Sequence, residues 1–398
     1  MRRFLTFVGL EVYAVFLAFL QSLHGVSTDE AKYLLDIPYP HPPLVRWVLG
    51  LTDGFAQQEI FWRVVFATLL VQALWLVVAF LPREHRQGRL VLALLWLSSA
   101  GMFLQAGAIL MAPLTALQAL LFSWLLLRVE SPERFAGWIA LLWLASLFMA
   151  YQILLFLPVV FLLFWRMRMS PWTKALLFGA PLLLLVLYTL TNPLIPASMV
   201  SAGVQNASGG ATVLQSLKGV VVLWAIGGGI VASLLGTWCL LRARQWALLG
   251  SLLLLCAYVF LSYRGYYPVL FLPLFLAGIA AAPSVLRRPF LLGAVTLLVA
   301  LSLSFALPIA ASPSLARSTM QQLQGGPYLS RGNVLIAGPF GHEWQYESAS
   351  PVLRFTSNHV TEARAVICLS PCENFDPAAG GFSRVQGVDV EAWVRLLD

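Results

Sequence analysis

The chain has few charged residues. Only 11% of its 398 residues are Asp, Glu, Lys or Arg, whereas 60% are hydrophobic. A soluble domain usually contains about 25% charged residues, and a mean hydropathy of +0.82 implies more apolar surface than a globule of this size can bury. The composition therefore excludes an ordinary soluble protein. It predicts an α-helical polytopic membrane protein, because helices satisfy their own backbone hydrogen bonds in lipid.

Lysine is nearly missing, since Lys32, Lys174 and Lys218 are the only lysines. The net charge of +8 comes from arginines in short clusters between apolar runs, which is typical of cytoplasmic loops and does not indicate nucleic-acid binding. The N-terminal run after Arg2 and Arg3 lacks an A-x-A-like cleavage site. We therefore interpret this run as a retained first span and not as a signal peptide.

Apolar runs long enough to cross a bilayer recur along the chain, about 20 residues being needed for a helix. The count is ten or eleven, because two short neighbouring runs form either two tilted helices or one long span. The candidate spans are 4–24, 60–81, 89–109, 112–127, 135–149, 153–165, 174–190, 217–241, 246–262, 267–283 and 289–308.

With a cytoplasmic N-terminus and eleven spans, most basic residues fall in inner loops, as the positive-inside rule requires. The inner set is Arg2, Arg3, Arg83, Arg86, Arg89, Arg128, Arg134, Arg166, Arg168, Lys174, Arg242, Arg244, Arg287 and Arg288. The outer set is Lys32, Arg46, Arg63, Lys218 and Arg264. We expect an integral protein of a bacterial plasma membrane, with the first outer loop at 25–59 and the C-terminal tail extracytoplasmic.

The tail differs from the rest of the chain because its apolar runs are short. We therefore predict two domains, a transmembrane domain at 1–308 and a small extracytoplasmic α/β domain at 309–398. Within the tail, the patterns predict two strands and two helices. These elements are strands at 333–338 and 363–369 and helices at 342–348 and 390–397.

Two cysteines in the tail, Cys368 and Cys372, are compatible with a disulfide in an oxidising compartment. Free thiols are an equally open alternative, because sequence does not give the separation of the Cα atoms.

The segment from Ser27 to Trp47 is the most polar stretch near the N-terminus, and Asp29 and Glu30 stand side by side in it. A carboxylate at a membrane boundary is costly unless it is solvated or functional. The structural alternative is that Ser27-Thr28-Asp29 caps a short helix through Leu35. Several prolines then favour an extended stretch around His41. Leu44–Leu51 follows as a predicted interfacial helix.

A family resemblance rests on this segment. Asp29-Glu30-Ala31-Lys32-Tyr33, followed by His41-Pro42-Pro43-Leu44, resembles the first outer loop of the GT-C membrane glycosyltransferases. The closest type is the dolichyl-phosphate-mannose-protein mannosyltransferase and aminoarabinose-transferase type. Weaker matches extend the resemblance over most of the membrane region. They are Arg63, Tyr151 ahead of Leu155–Pro158, and Arg264-Gly265-Tyr266-Tyr267-Pro268.

The resemblance implies a GT-C-like fold and transfer of a sugar from a polyprenyl-phosphate donor to a hydroxyl of a glycan, lipid or protein, within membrane lipid. By position, Asp29 is the base that accepts the acceptor's proton while the anomeric carbon inverts. Glu30 is a neighbour that tunes this base or binds the acceptor. The resemblance also implicates Tyr33, His41, Tyr151 and Tyr267 in binding substrate.

The lipid-phosphate leaving group requires cations, and guanidinium binds phosphate bidentately. Arg264, Arg63, Lys32 and Arg46 are the predicted outward cations, each with an ordinary alternative. Arg264 can be a snorkelling residue at a helix end, and Arg63 can pair with Asp29, Glu30 or Glu59. Lys32 and Arg46 can be solvated or can face lipid headgroups.

The sequence also departs from the family pattern. Many relatives have a second acid in the outer turn between the third and fourth spans, but this chain reads Ala108-Ile109-Leu110-Met111-Ala112-Pro113-Leu114. One possible metal ligand is therefore missing, and we assign no divalent cation and no other cofactor. Ala150 stands where relatives often have a lysine before the tyrosine that matches Tyr151.

Two other hypotheses remain from the sequence. A transporter or lipid flippase usually has ionisable groups or broken helices near the midplane, and Glu11 is the only acid deep in a predicted span. For Glu11 we favour a hydrogen bond to a neighbour such as a Tyr or a Trp indole. The missing acid also allows an inactive GT-C-like binding or assembly subunit.

Overall fold

The computed structural model describes residues 2–37, 42–55, 57–192, 195, 212–262, 265, 267–282, 295, 304–324, 332–348 and 350–395. Most of the predicted span 289–308 lies outside these residues, as do His41 and Arg264. The described residues fall into two compact units. The first comprises Met1–Phe19 and Tyr39–Ile309, and the second comprises Leu20–Pro38 and Ala310–Asp398.

One division between the two units falls between Ile309 and Ala310. Residues 20–38, the end of the first predicted span and the start of the first outer loop, group with the tail.

The described part of the first unit consists mainly of helices, the first of which, α1, continues into the second unit. They are α1 Arg2–His24, α3 Leu44–Gly50, α4 Gln58–Gln72, α5 Leu74–Ala79, α6 Arg86–Leu97, α7 Ala100–Gln105, α8 Met111–Arg128, α9 Ala136–Met149, α10 Leu157–Arg166, α11 Pro171–Thr191, α12 Val213–Arg242, α13 Trp246–Leu261 and α14 Pro268–Ala281, with 3-10 turns at Pro132–Phe135 and Tyr151–Phe156.

Six of the described helical segments are long and apolar enough to cross a membrane: Arg3–His24, Gln58–Ala79, Arg86–Gln105, Met111–Arg128, Pro171–Thr191 and Val213–Arg242. Shorter apolar helices cover Tyr151–Arg166, Trp246–Leu261 and Pro268–Ala281. Large apolar side chains remain exposed on the long helices, such as Leu190 of α11 and Leu234 of α12. These features identify a helical membrane protein.

The core of the first unit lies around α14, whose residues from Pro268 to Ala280 are all buried. Glycines allow α12 to approach it closely. A Cβ atom at Gly236 would lie 2.6 Å from the Cα of Phe275, and one at Gly278 would lie 2.6 Å from the Gly236 carbonyl oxygen. Small residues permit such contact between membrane helices.

The second unit contains α2 Thr28–Leu34 and the C-terminal α/β domain. The domain comprises α15 Leu315–Gln324, β1 Asn333–Ala337, α16 His342–Glu347, β2 Val352–Arg354, a 3-10 turn at Ser357–Glu362, β3 Ala363–Cys368, β4 Phe382–Arg384 and β5 Glu391–Arg395. The strand order is β2-β1-β3-β5-β4. β1 is parallel to β2 and β3, and β5 is antiparallel to β3 and β4.

The sheet has a core on each face, because β1 alternates its side chains. Val334 and Ile336 pack with Met320 of α15, and Leu335 packs with Val366 and Phe382. Cys368 and Cys372 form a disulfide with Cα atoms 5.6 Å apart, which resolves the alternative left open by the sequence.

Three of the four elements predicted in the tail are present, and the fourth is wrong. Residues 390–397 were expected to form a helix, but Glu391–Arg395 is strand β5. Its burial alternates, with Ala392 and Val394 inside. Pairing with β3 and β4 on both sides outweighs the helical spacing of its apolar residues, because strand preference depends on tertiary context.

Candidate functional site

Helix α2 has a well-defined start. Ser27 is its N-cap, and the Glu30 amide donates to the Ser27 hydroxyl at 3.4 Å. The Ser27 amide donates in return to the Glu30 carboxylate at 2.7 Å. These reciprocal bonds form a capping box, and Glu30 is buried. The carboxylate of Glu30 therefore holds the beginning of the helix.

Asp29 has a different environment from Glu30. Its Oδ1 lies 2.9 Å from the Nζ of Lys32, one turn along the helix, and the side chains of Asp29 and Lys32 are 22% and 17% exposed. Tyr33, on the same helix, is buried. Of the two adjacent acids, Asp29 is the one that presents a carboxylate to solvent.

Contacts within the second unit fix α2 on the C-terminal domain. The Thr28 hydroxyl donates to the Glu343 carboxylate of α16. The Val26 amide donates to Glu347 at 3.3 Å, and Glu347 pairs with Arg317 of α15 at 2.9 Å. Helix α2, the first part of the polar segment, therefore belongs to the same unit as the tail domain.

The strand order of the sheet shows which edge of the sheet lies near α16, the helix that contacts α2. β1 has β2 on one side and β3 on the other, so the strand order reverses at β1. Ligands of parallel α/β sheets bind outside the carboxyl ends of the strands at such a point. Helix α16 follows the carboxyl end of β1 and contacts α2, so Asp29 is carried by a helix near that edge.

In the first unit, Arg63 of α4 is almost completely buried, at 2% exposure, and its Nε lies 2.8 Å from Glu59. Its Nη1 donates to the Gly107 carbonyl oxygen at 3.2 Å. Glu59 is one of the three acids considered as alternative partners from the sequence. The guanidinium thus connects α4 to the turn after α7.

Gln105 extends this connection to the start of α14, and sequence reasoning missed it. Its side-chain amide donates to the Gly265 carbonyl oxygen at 3.0 Å, and the Val269 amide donates to its Oε1 at 3.4 Å. The sequence signal was a glutamine in an apolar run. A polar side chain in such a run is costly to bury unless it has a hydrogen-bond partner or a function. Arg63 and Gln105 therefore connect the end of α7 and the turn after it to α4 on one side and to Gly265 and Val269 on the other.

The remaining described candidates of the first unit lie on other elements. The Tyr267 hydroxyl is 2.9 Å from the Tyr258 hydroxyl, and Tyr151 begins the 3-10 turn at Tyr151–Phe156. Arg46 lies partly buried on α3, beside Trp47, which is exposed. Asp29, Glu30, Lys32 and Tyr33 share α2 in the second unit, and the other described candidates lie in the first.

Among the described residues, no three His, Cys, Asp or Glu side chains come close enough together to hold a metal ion. Comparisons with protein-family models, curated proteins and solved structures give no match for this chain. The functional argument therefore depends on the residues themselves.

Proposed function

We propose that the protein is a membrane glycosyltransferase that moves a sugar from a polyprenyl phosphate to a hydroxyl acceptor. The observation that carries the proposal is that two adjacent acids, Glu30 and Asp29, have different environments. Glu30 is buried in the helix cap, whereas Asp29 is partly exposed beside Lys32. Asp29, the residue that matches the base of the GT-C enzymes, is therefore the one of the two acids whose carboxylate is partly exposed to solvent.

In this scheme Asp29 is the general base. It accepts the proton of the acceptor hydroxyl while the hydroxyl oxygen attacks the anomeric carbon, and the lipid phosphate leaves from the opposite face with inversion. A positioned general base typically contributes roughly 10²–10⁴-fold to the rate. Lys32 orients the carboxylate, and Glu30 acts indirectly by holding the helix that carries Asp29.

The lipid phosphate is bound by cations of the predicted outer loops. Arg264 and Arg46 are the proposed direct contacts. Arg63 has Glu59 and the Gly107 carbonyl as internal partners, so we assign it the task of connecting α4 to the turn after α7. Tyr151, Tyr267 and His41 are proposed to line the substrate path.

The eleven-span count and the outward tail are part of the same proposal. The clustering of arginines in alternate loops supports them. The Cys368–Cys372 disulfide adds support, because such bonds persist in oxidising compartments outside the cytoplasm.

Sugar transfer from radiolabelled polyprenyl-phosphate sugars tests the proposal in purified protein reconstituted with lipid acceptors, glycans and acceptor proteins. We expect turnover by the wild type and its loss in Asp29→Asn with unchanged folding. Full activity in Asp29→Asn would rule out the assigned base. A folded wild type without turnover on any donor would instead favour the inactive assembly subunit.

A transporter is the second candidate, because α12 is interrupted in its interior. Gly229 has φ 75° and ψ 151°, far from helical values. Side chains satisfy backbone groups around the break, since Ser233 donates to the Trp224 carbonyl oxygen at 2.7 Å. Broken helices are typical of transporter sites. Movement of a fluorescent polyprenyl phosphate between leaflets in proteoliposomes, without sugar transfer, would favour this function.

A further inference from the structure

A cavity of about 710 Å³ lies in the first unit, and none of the proposed catalytic or substrate-binding residues lines it. Three arginines and four apolar residues surround it. They are Arg3, Arg83, Arg89, Phe4, Phe7, Trp75 and Val78. None of these lining residues carries a negative charge.

Three chain segments meet at this cavity because adjacent helices run in opposite directions. Arg3 is at the beginning of α1. Arg83 follows the end of α5, and Arg89 is in the first turns of α6. The cavity therefore lies at one end of the predicted spans, where a lipid headgroup would be.

The guanidinium groups of the three arginines have no internal partner among the residues that the structure describes. Within the described part of the chain, none of them has a side-chain hydrogen bond or an ion pair. Glu11, the acid further along α1, accepts hydrogen bonds from Thr68 at 2.9 Å and Gln72 at 2.7 Å. Three unpaired guanidinium groups around one cavity favour a bound anion, because guanidinium matches the geometry of phosphate.

The rest of the lining is apolar and exposed. Phe4 is 67% exposed and Trp75 is 42% exposed. The Trp75 ring is held by a hydrogen bond from its Nε1 to the Gln72 side chain at 2.9 Å. Indole rings concentrate at the headgroup level of membranes, and an aromatic wall beside a cationic pocket suits a molecule that is anionic at one end and apolar at the other.

We propose that this cavity binds the phosphate headgroup of an anionic phospholipid, with the acyl chains along Phe4 and Phe7. A free phosphate would need the arginines alone and would gain nothing from this exposed apolar wall. The charge asymmetry of the loops assigns the site to the cytoplasmic leaflet, where anionic lipids attract basic residues. The proposal does not depend on glycosyl transfer.

Native mass spectrometry of the full chain, released from nanodiscs that contain equal amounts of phosphatidylglycerol and phosphatidylcholine, provides the test. The test variant is R3Q/R83Q/R89Q. The matched control is R86Q/R134Q/R168Q, which removes the same charge from exposed predicted inner positions that do not line the cavity. Each arginine that holds the headgroup in the cavity is expected to contribute a factor of about five to the retention of phosphatidylglycerol.

We expect the wild type and the control to retain phosphatidylglycerol in preference to phosphatidylcholine. The test variant should lose about 100-fold in apparent affinity for phosphatidylglycerol. Equal losses in the two variants would overturn the site, because they would reflect only general attraction to charge. Equal retention by the wild type and the test variant would also overturn it.

Inorganic phosphate distinguishes the two possible sources of the anion. In nanodiscs of phosphatidylcholine alone, phosphate at millimolar concentration should leave the melting temperature unchanged in the wild type and in the test variant. A phosphate-dependent rise that the test variant abolishes would mean that the cavity takes a soluble anion, and the lipid proposal would be wrong.

Discussion

Asp29 and Glu30 have different environments although they are adjacent on α2. The capping box requires Glu30 at the third helical position after Ser27, so the helix buries that carboxylate. Asp29 is one residue earlier and points to another side, where Lys32 is within 2.9 Å. The Ser-x-x-Glu pattern was readable in the sequence, and it is the signal that separates a capping acid from an accessible one.

The capping box predicts a local effect of Ser27. Ser27→Ala removes the hydroxyl that accepts from the Glu30 amide, and such losses cost about 1 kcal/mol. Hydrogen–deuterium exchange of the α2 amides should accelerate about fivefold for that cost. Ser27→Thr keeps a capping hydroxyl and should exchange like the wild type. Unchanged exchange in Ser27→Ala would mean that the cap does not hold α2.

The Arg317–Glu347 pair predicts a larger effect within the second unit. Arg317 is 13% and Glu347 is 8% exposed, and Arg317 also donates to the Ser22 carbonyl oxygen. Removing one partner of a buried pair costs about 3–5 kcal/mol, so Arg317→Ala should destabilise the unit by about 3 kcal/mol.

Denaturant unfolding followed by tryptophan fluorescence measures this loss. Arg354→Ala, on the exposed face of β2, is the control and should change stability by less than about 0.5 kcal/mol. If the two variants unfolded at the same denaturant concentration, the ion pair would not stabilise the unit.

At the scale of elements, long apolar helices were the most predictable feature. Each predicted span from 4–24 to 267–283 has a helical counterpart among the described residues, because burial in lipid imposes one structure on such runs. The short tail elements were less predictable. β5 is decided by its pairing with β3 and β4 on both sides, and the spacing of apolar residues within β5 does not reveal this pairing.

The interruption of α12 was not predicted from the sequence either, because Gly227-Gly228-Gly229 resembles an ordinary stretch of small residues in an apolar helix. Only Gly229 has the φ of 75°, a conformation that costs other residues about 1–3 kcal/mol. Gly229→Ala should therefore lower the melting temperature measured in detergent.

Gly179→Ala is the matched control for Gly229→Ala. Gly179 lies inside α11 with open space around its Cα, so alanine should be neutral or slightly stabilising there. Equal melting temperatures for the two variants would argue against a broken α12.

At the scale of the whole molecule, orientation is the largest prediction that the sequence makes. It predicts a cytoplasmic Arg134 and an extracytoplasmic Ser383, both of which are exposed. Single cysteines at these positions, in a C239A/C256A background, test it with a membrane-impermeant maleimide on intact cells. Ser383→Cys should be labelled before lysis and Arg134→Cys only after it; the reverse pattern would invert the proposed topology.

The candidate site could be predicted only in part, because some of its contacts join residues that are far apart in the chain. The motif identified Asp29 and its neighbours on one short helix, because they are local in sequence. The membership of α2 in the C-terminal unit depends on Thr28, Val26 and Ser22 meeting residues about 300 positions away. Gln105 was missed for the same reason.

The rate of sugar transfer by Asp29→Asn relative to Glu30→Gln tests the central claim most directly. Both substitutions replace a carboxylate by its amide on the same helix, and glutamine preserves a capping box. We predict that Asp29→Asn loses roughly 10²–10⁴-fold in rate, while Glu30→Gln stays close to wild type. Equal rates for the two variants, or a loss confined to Glu30→Gln, would contradict the assignment of Asp29 as the base.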